Sequence, residues 1–153
     1  MTAYANPLRR CKGWILAPLV LTIAAVSAPY LSTHSFLLLG FALHRGFALI
    51  CHQRPERSFW VFGAPVAVCA RCLGIYLGAA IGLLLRTSRR VAVNILIAAF
   101  AMNLLDVVTE LAGLHGNWLA VRFVLGLTLG VACGLMISSA LAAAVDCLEV
   151  PDC

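Results

Sequence analysis

Apolar residues fill this chain in long runs that polar positions break only at intervals. From Gly13 to Leu43 there is no Asp, Glu, Lys or Arg, and His34 is the single side chain that can charge. Phe123 to Val145 is charge-free throughout. Each run is long enough to cross a bilayer as a helix, which takes about 20 apolar residues. Two other runs, Cys72–Leu85 and Val91–Leu105, are shorter. The first reaches span length by borrowing residues 65–71, the second by taking in Asp106 and Glu110. The pattern predicts helices over about 14–33, 68–86, 91–113 and 118–142. Trp14, Trp60 and Trp118 fall near the ends of these segments, where aromatic side chains favour the membrane–water interface. The expected fold class is an all-α membrane protein, a four-transmembrane-helix bundle forming one integral membrane domain over residues 1–153.

"FLLLGFALHRGFALI" (36–50) is apolar but short, with His44 and Arg45 near its middle. A full span there would hold a charge at the bilayer centre, at a cost of about 2.5–3.5 kcal/mol. It would also reverse every later segment. The run is therefore expected as a short helix lying at, or dipping into, the outer interface. Between the spans, "RTSRR" (86–90) reads as a basic loop and "LHGNW" (114–118) as a polar turn.

Composition agrees with a bilayer as solvent: 63% of residues are hydrophobic, 11% are charged, and the mean hydropathy is +1.00. A soluble domain averages about 25% charged residues. The net charge of +5 does not indicate nucleic acid, because basic residues stand at span ends. The positive-inside rule sets the orientation. Arg9, Arg10 and Lys12 then lie inside, as do "RTSRR" and the C-terminal "DCLEVPDC". The expected location is the cell (inner) membrane, multi-pass, with both termini cytoplasmic and residues 34–67 on the outer side. "VSAPY" after a basic start imitates a signal-peptide cleavage site, but Pro29 directly after the cut opposes processing, so 14–33 reads as a retained anchor.

Gly74, Gly78 and Gly82 recur every four residues, as do Gly126, Gly130 and Gly134. Each series makes a smooth stripe on one helix face and permits close backbone approach. The stripes predict tight packing of these two helices, within one chain or as a homo-oligomer.

Against this apolar background, "CHQRPERSFWVFGAPVAVCARC" (51–72) concentrates thiols, an imidazole and charge. Cys69 and Cys72 form a C-x-x-C pair, whose sulfurs can face one ion from a turn. Between them and Cys51–His52, the apolar stretch with a turn at Gly63–Ala64–Pro65 reads as a hairpin that returns the first pair to the second. Cys51, His52, Cys69 and Cys72 are the candidate metal ligands, and zinc suits that donor set. Adjacent residues tend to point apart, so one of Cys51 and His52 need not ligate. Redox exchange by Cys69 and Cys72, with Arg71 favouring a thiolate, is the alternative. Inert burial is the third reading.

Asn103, Asp106 and Glu110 share one face of a span at i, i+3 and i+7, and Arg122 opens the next helix. Depth along the two helices predicts an Asp106–Arg122 ion pair below the Cys/His layer. Asp106, Glu110 and Arg122 are the candidate catalytic residues, the carboxylates as bases and Arg122 as the partner of an anionic small molecule or lipid. The same three charges would also suit an oligomeric small-solute carrier. The residues leave open whether the chain is an enzyme.

The segments "CHQRPERSF…CARCLGIYLG" and "LLDVVTELAGLHGNWLAVRFVLGLTLG" resemble the signature of a family of bacterial and archaeal membrane proteins, domain-of-unknown-function family 2085. The matching residues are Cys51, His52, Gln53, Arg57, Ser58, Phe59, Cys69, Ala70, Arg71, Cys72, Gly74, Ile75, Tyr76 and Gly78, then Asp106, Arg122 and Gly126. The resemblance covers about residues 45–130. That family often carries Gln where Glu110 stands. The resemblance implies a polytopic membrane protein and no particular reaction.

Overall fold

The computed structural model of the protein describes residues 7–34, 36–114 and 116–149, and side chains within 16–34, 36–114 and 116–143. The side chains of Cys11, Trp14, His115 and Cys147, and all of Cys153, lie outside the described residues. The described chain is mostly helical: α1 (Pro7–Thr33), α2 (Leu37–Ala48), α3 (Ala70–Leu84), α4 (Arg89–Leu111) and α5 (Leu119–Glu149). Between α2 and α3 come a single 3-10 turn (Pro55–Arg57) and a two-stranded antiparallel ribbon, β1 (Trp60–Val61) and β2 (Ala64–Pro65).

Three stretches are long and apolar enough to cross a membrane: Leu16–Thr33, Arg89–Leu111 and Leu119–Ala143. α3, expected as a span over 68–86, has 15 residues. At 1.5 Å per residue it is about 22 Å long, less than the ~30 Å hydrocarbon core. Extended residues close it at both ends, Cys69 (ψ 159) and Leu85 (ψ 149), because the chain turns there into the cysteine loop and the basic connection. Ser88 then starts α4, its side chain accepting from the Val91 amide. Gly113, with φ +69, ends α4 in the left-handed conformation that glycine adopts without penalty.

The two glycine stripes face each other inside one chain. A Cβ added at Gly74, Gly78 or Gly82 would strike the carbonyl oxygen of Phe123, Leu127 or Val131 respectively. One added at Gly126, Gly130 or Gly134 would strike that of Arg71, Ile75 or Ala79. Partner numbers rise together, so α3 and α5 run parallel with their backbones in contact. Both stripes are thus used within the chain, and neither is the free face that self-association through them requires. α4 runs back antiparallel along α5. Asn103 secures it, its Nδ2 donating to Ala99 O and to Leu125 O on α5, each at 2.9 Å.

α2 folds back along α1. A Cβ at Gly40 would meet the Ser32 backbone, and further along α2, Leu43 and Phe47 share a groove with Leu21 and Ala24. The helix thus descends beside α1 and does not lie flat across its end, because apolar residues cover one side of it and glycine permits the close approach. The buried core beneath comprises Ala25, Ala28, Phe47, Val66, Ala67, Val68 and Leu73. It sits where α1, α2 and the start of α3 meet, directly under the cysteine loop.

Candidate metal centre and arginine cavity

The loop from α2 to α3 is held by backbone chemistry that its residues dictate. Cys51 N donates to Phe47 O at 2.9 Å, which continues the last turn of α2. Gln53 then takes φ 46, a left-handed conformation. Its Nε2 donates to His44 O and to Ala67 O, both at 2.7 Å, and so joins the end of α2 to the approach to α3. Buried Ser58 donates its hydroxyl to Arg54 O at 3.1 Å across the 3-10 turn. The ribbon turns at Phe62 (φ 53) and Gly63 (φ 77). Two consecutive positive φ values are those of a tight two-residue hairpin turn. The expected turn at Gly63–Ala64–Pro65 is thus one residue earlier, with Ala64 and Pro65 in β2. Ala67 N donates to Ala25 O on α1 at 3.3 Å, anchoring the return strand.

This path brings the ends of the loop together. The sulfurs of Cys51, Cys69 and Cys72 all lie within 4.8 Å of one another. Cys51 is buried and the other two are half-buried. Cys69 caps α3 in extended conformation and Cys72 stands in its first turn. The Cys69 amide donates to Cys51 Sγ at 3.3 Å. Hydrogen bonds from the Cys69 and Cys72 thiols hold the Cys51 thiol far below its ordinary range, against the opposing effect of burial. All three are free cysteines. His52, the fourth expected ligand, is outside this group. It is exposed and lines the cavity beside the sulfurs.

A cavity of about 470 Å³ opens next to Cys69 and Cys72, bounded by His52, Arg54, Arg57, Arg71, Arg122 and Leu111. The carboxylates under it take partners beyond the one expected. Asp106 is bonded to Arg71. Arg122 Nη2 lies 2.5 Å from Glu110 Oε1, and Arg57 Nη2 lies 2.7 Å from the same oxygen. Asp106 and Glu110 are one turn apart on a single face of α4. The Arg122 side chain is 5% exposed and that of Asp106 8%. Among the described residues, Nε of Arg71 and Nε of Arg122 are buried without a hydrogen-bond partner.

Arg54 and Arg57 were not singled out as site residues from sequence, and Arg71 only as a modifier of thiol acidity. Their signal was present: charged residues retained beside thiols in a chain with 11% charge. The fold accounts for all the named positions at one end of the bundle: the loop, the start of α3, the end of α4 and the start of α5. Trp60 and Trp118, 63% and 64% exposed, mark the same end.

The three sulfurs pass a chemical test for a soft cation. Thiolates about 2.3 Å from zinc in a tetrahedron stand about 3.8 Å apart, a small inward adjustment from the observed group. Cys51 packs into the apolar core and accepts from the Cys69 amide, while Cys69 and Cys72 open onto the cavity.

A family model described as predicted membrane protein (DUF2085) matches residues 51–136. An uncharacterised protein of Methanocaldococcus jannaschii is 30% identical over 128 residues, covering 76% of this chain and 82% of the relative. An uncharacterised protein of Methanothermobacter thermautotrophicus is 37% identical over 90 residues, covering 56% of this chain and 81% of the relative. No solved structure matches the chain.

Proposed function

The chain belongs to the DUF2085 family of predicted membrane proteins, and on that footing we propose that it is a four-span inner-membrane protein with a zinc–thiolate centre at its outer edge. Cys51, Cys69 and Cys72 hold the ion, and the fourth place faces His52 and the cavity. The observation that carries this reading is the meeting of three free thiols from two ends of a loop within 4.8 Å. One of the three is buried and two are half-buried at a cavity wall, which leaves a soft cation a place among them. A bound ion closes the loop, and zinc supplies apparent free energies of about 10–16 kcal/mol in small domains.

α3 counts as the fourth span in this reading. Its lower end meets the basic connection at residues 86–90, and its upper end meets the sulfur layer, so the loop completes the crossing that the helix leaves short. The basic N-terminus and residues 86–90 are cytoplasmic, by the positive-inside rule. Three protein ligands with an open fourth place form the arrangement in which zinc polarises a substrate group, whereas four protein ligands make a closed structural site. Asp106 and Glu110 serve as positioning residues, because each is engaged with arginine and so is a poor base.

Elemental analysis of the purified full-length protein tests the centre. A single zinc per chain is expected in wild type, with loss in Cys72→Ser and retention in His52→Ala. Metal-free wild type that remains folded would overturn the reading. Loss of zinc in His52→Ala would make the site a closed, structural one.

One observation favours a second reading, thiol–disulfide exchange. Cys69 and Cys72 form a C-x-x-C pair at the N-terminus of α3, half-buried and lining the cavity where a partner thiol could reach them. Thiol trapping in intact cells separates the two: an exchanging pair switches state with added reductant, and a zinc-bound pair does not.

A further inference from the structure

The arginines around the cavity exceed what the carboxylates beneath them require. Arg54, Arg57, Arg71 and Arg122 supply four positive charges, and Asp106 and Glu110 supply two negative ones. The difference is +2 with the thiols neutral, and +1 with three thiolates around a divalent ion. In the proposed orientation these arginines lie on the outer side, where the positive-inside rule gives them no topological role. Arg54 is exposed and Arg57 half-buried, but the inner two, Arg71 and Arg122, are not solvated surface charges. Arg122 is almost wholly buried, and its Nε, like that of Arg71, is a donor without a hydrogen-bond partner among the described residues. A buried donor left unsatisfied is costly, so a chain retains such groups where a ligand completes them.

We infer that the cavity is a binding site for a phosphate group. Guanidinium forks match phosphate oxygens in paired hydrogen bonds. A phosphomonoester carries about −1.5 to −2 at neutral pH, which offsets the excess on the walls. A carboxylate, with two acceptor oxygens where a phosphate group offers at least three, would take up fewer of the donors. The cavity, about 470 Å³, falls within the usual range of about 300–1,000 Å³ for small-molecule sites and is larger than an isolated phosphate ion needs. The group is therefore expected as the head of a larger molecule, with exposed Leu111 at the rim facing its apolar part. The site rests on the guanidinium groups and does not require the metal ion, although it adjoins it.

The test uses full-length protein in nanodiscs and two arms that separate a free phosphate from a lipid headgroup. In the first arm, inorganic phosphate is titrated calorimetrically into protein in phosphatidylcholine nanodiscs. In the second, nanodiscs contain phosphatidylcholine and phosphatidic acid, and native mass spectrometry reads which lipid stays bound. Binding in the first arm alone identifies a soluble phosphate ligand. Binding in the second alone identifies a lipid phosphomonoester, and binding in both identifies a site that reads the phosphate group itself. Each of these supports the inference. Arg54→Gln, on an exposed residue, and Arg122→Lys, which keeps the charge but loses the fork, are each expected to weaken binding roughly tenfold. The inference is overturned if neither arm detects phosphate, or if both variants, folded by circular dichroism, bind as wild type does. Cys72→Ser is expected to lose zinc and keep phosphate binding. If phosphate binding vanishes with the zinc while the arginine variants retain it, the anion's partner is the metal, and the arginine site is refuted.

Discussion

At the scale of single residues, Glu110 has the most connected position. One of its oxygens receives both Arg57 and Arg122. Its removal leaves the nearly buried Arg122 without that carboxylate, and a buried charge stripped of its partner costs about 3–5 kcal/mol. Arg57, with a side chain 38% exposed, loses much less because water replaces the contact. We expect Glu110→Ala to lower thermal stability by about 2–4 kcal/mol, below the full cost because the cavity admits water. Glu110→Gln, which keeps an acceptor at the same place, should cost less than half as much, and Arg57→Ala less than about 1 kcal/mol. Thermal unfolding in detergent checks this order. Equal losses for Glu110→Ala and Arg57→Ala would show that the Arg122 contact is worth little. The candidate residues were legible in the sequence because charge is rare in this chain and stands out. Their pairing was not. Counting along two separate helices gives the depth of Asp106 and of Arg122, but only to within a turn, and one turn decides between Asp106 and Glu110. His52 shows a similar limit: residue type marks it as a ligand, whereas the fold leaves it outside the sulfur group, on the wall of the cavity beside it.

At the scale of elements, the glycines divide by what surrounds them. Gly78 lies against the Leu127 carbonyl, so Gly78→Ala forces α3 away from α5. Overpacking of this kind costs about 1–3 kcal/mol. Gly46, on α2, has nothing within 4 Å of an added Cβ. Gly46→Ala should therefore be neutral or stabilising by up to about 1 kcal/mol, through helix propensity alone. Opposite signs in the two unfolding midpoints are the expected result, and a destabilising Gly46→Ala would contradict the placement of α2. Four-residue glycine spacing revealed from sequence that these two helices present smooth faces. It did not reveal that they face each other in parallel, since spacing has no direction. The shortness of the Cys72–Leu85 run was visible, but a hydropathy run cannot show that the borrowed Val66, Ala67 and Val68 leave the helix to form the core under the loop.

At the scale of the whole molecule, every candidate site residue lies at the end of the bundle where α4 finishes and α5 begins. That end is expected to face outward. Single cysteines introduced at Asn117 and at Thr87, in a background where the exposed native thiols are accounted for, should label from opposite sides with a membrane-impermeant maleimide. Asn117→Cys should react in intact cells and Thr87→Cys only after lysis. The reverse pattern would place the cysteines and arginines in the cytoplasm and remove the topological argument for the phosphate site. Labelling of both from one side would reduce the number of spans. The side of the membrane was readable only through the basic residues at 9–12 and 86–90, and the arginines of the site weigh against them in any simple count. Structure separates the two sets, because the site arginines are engaged with carboxylates or line a cavity.

The parallel course of α3 and α5 also imposes a timetable on biosynthesis. A ribosome delivers α3 long before the helix that covers its glycine face, with the whole of α4 made in between. Until α5 emerges, α3 is a short apolar segment whose glycine face is uncovered, and as the proposed fourth span it is expected to hold the membrane weakly. Nascent chains arrested after Asn117 should therefore show α3 only partly inserted when a glycosylation acceptor reports its flanks, whereas chains extended through Ala143 should show it settled. Equal insertion at both lengths would mean that α3 commits to the bilayer alone. Assembly of the cysteine layer, which depends on the start of α3, would then precede α5 instead of waiting for it.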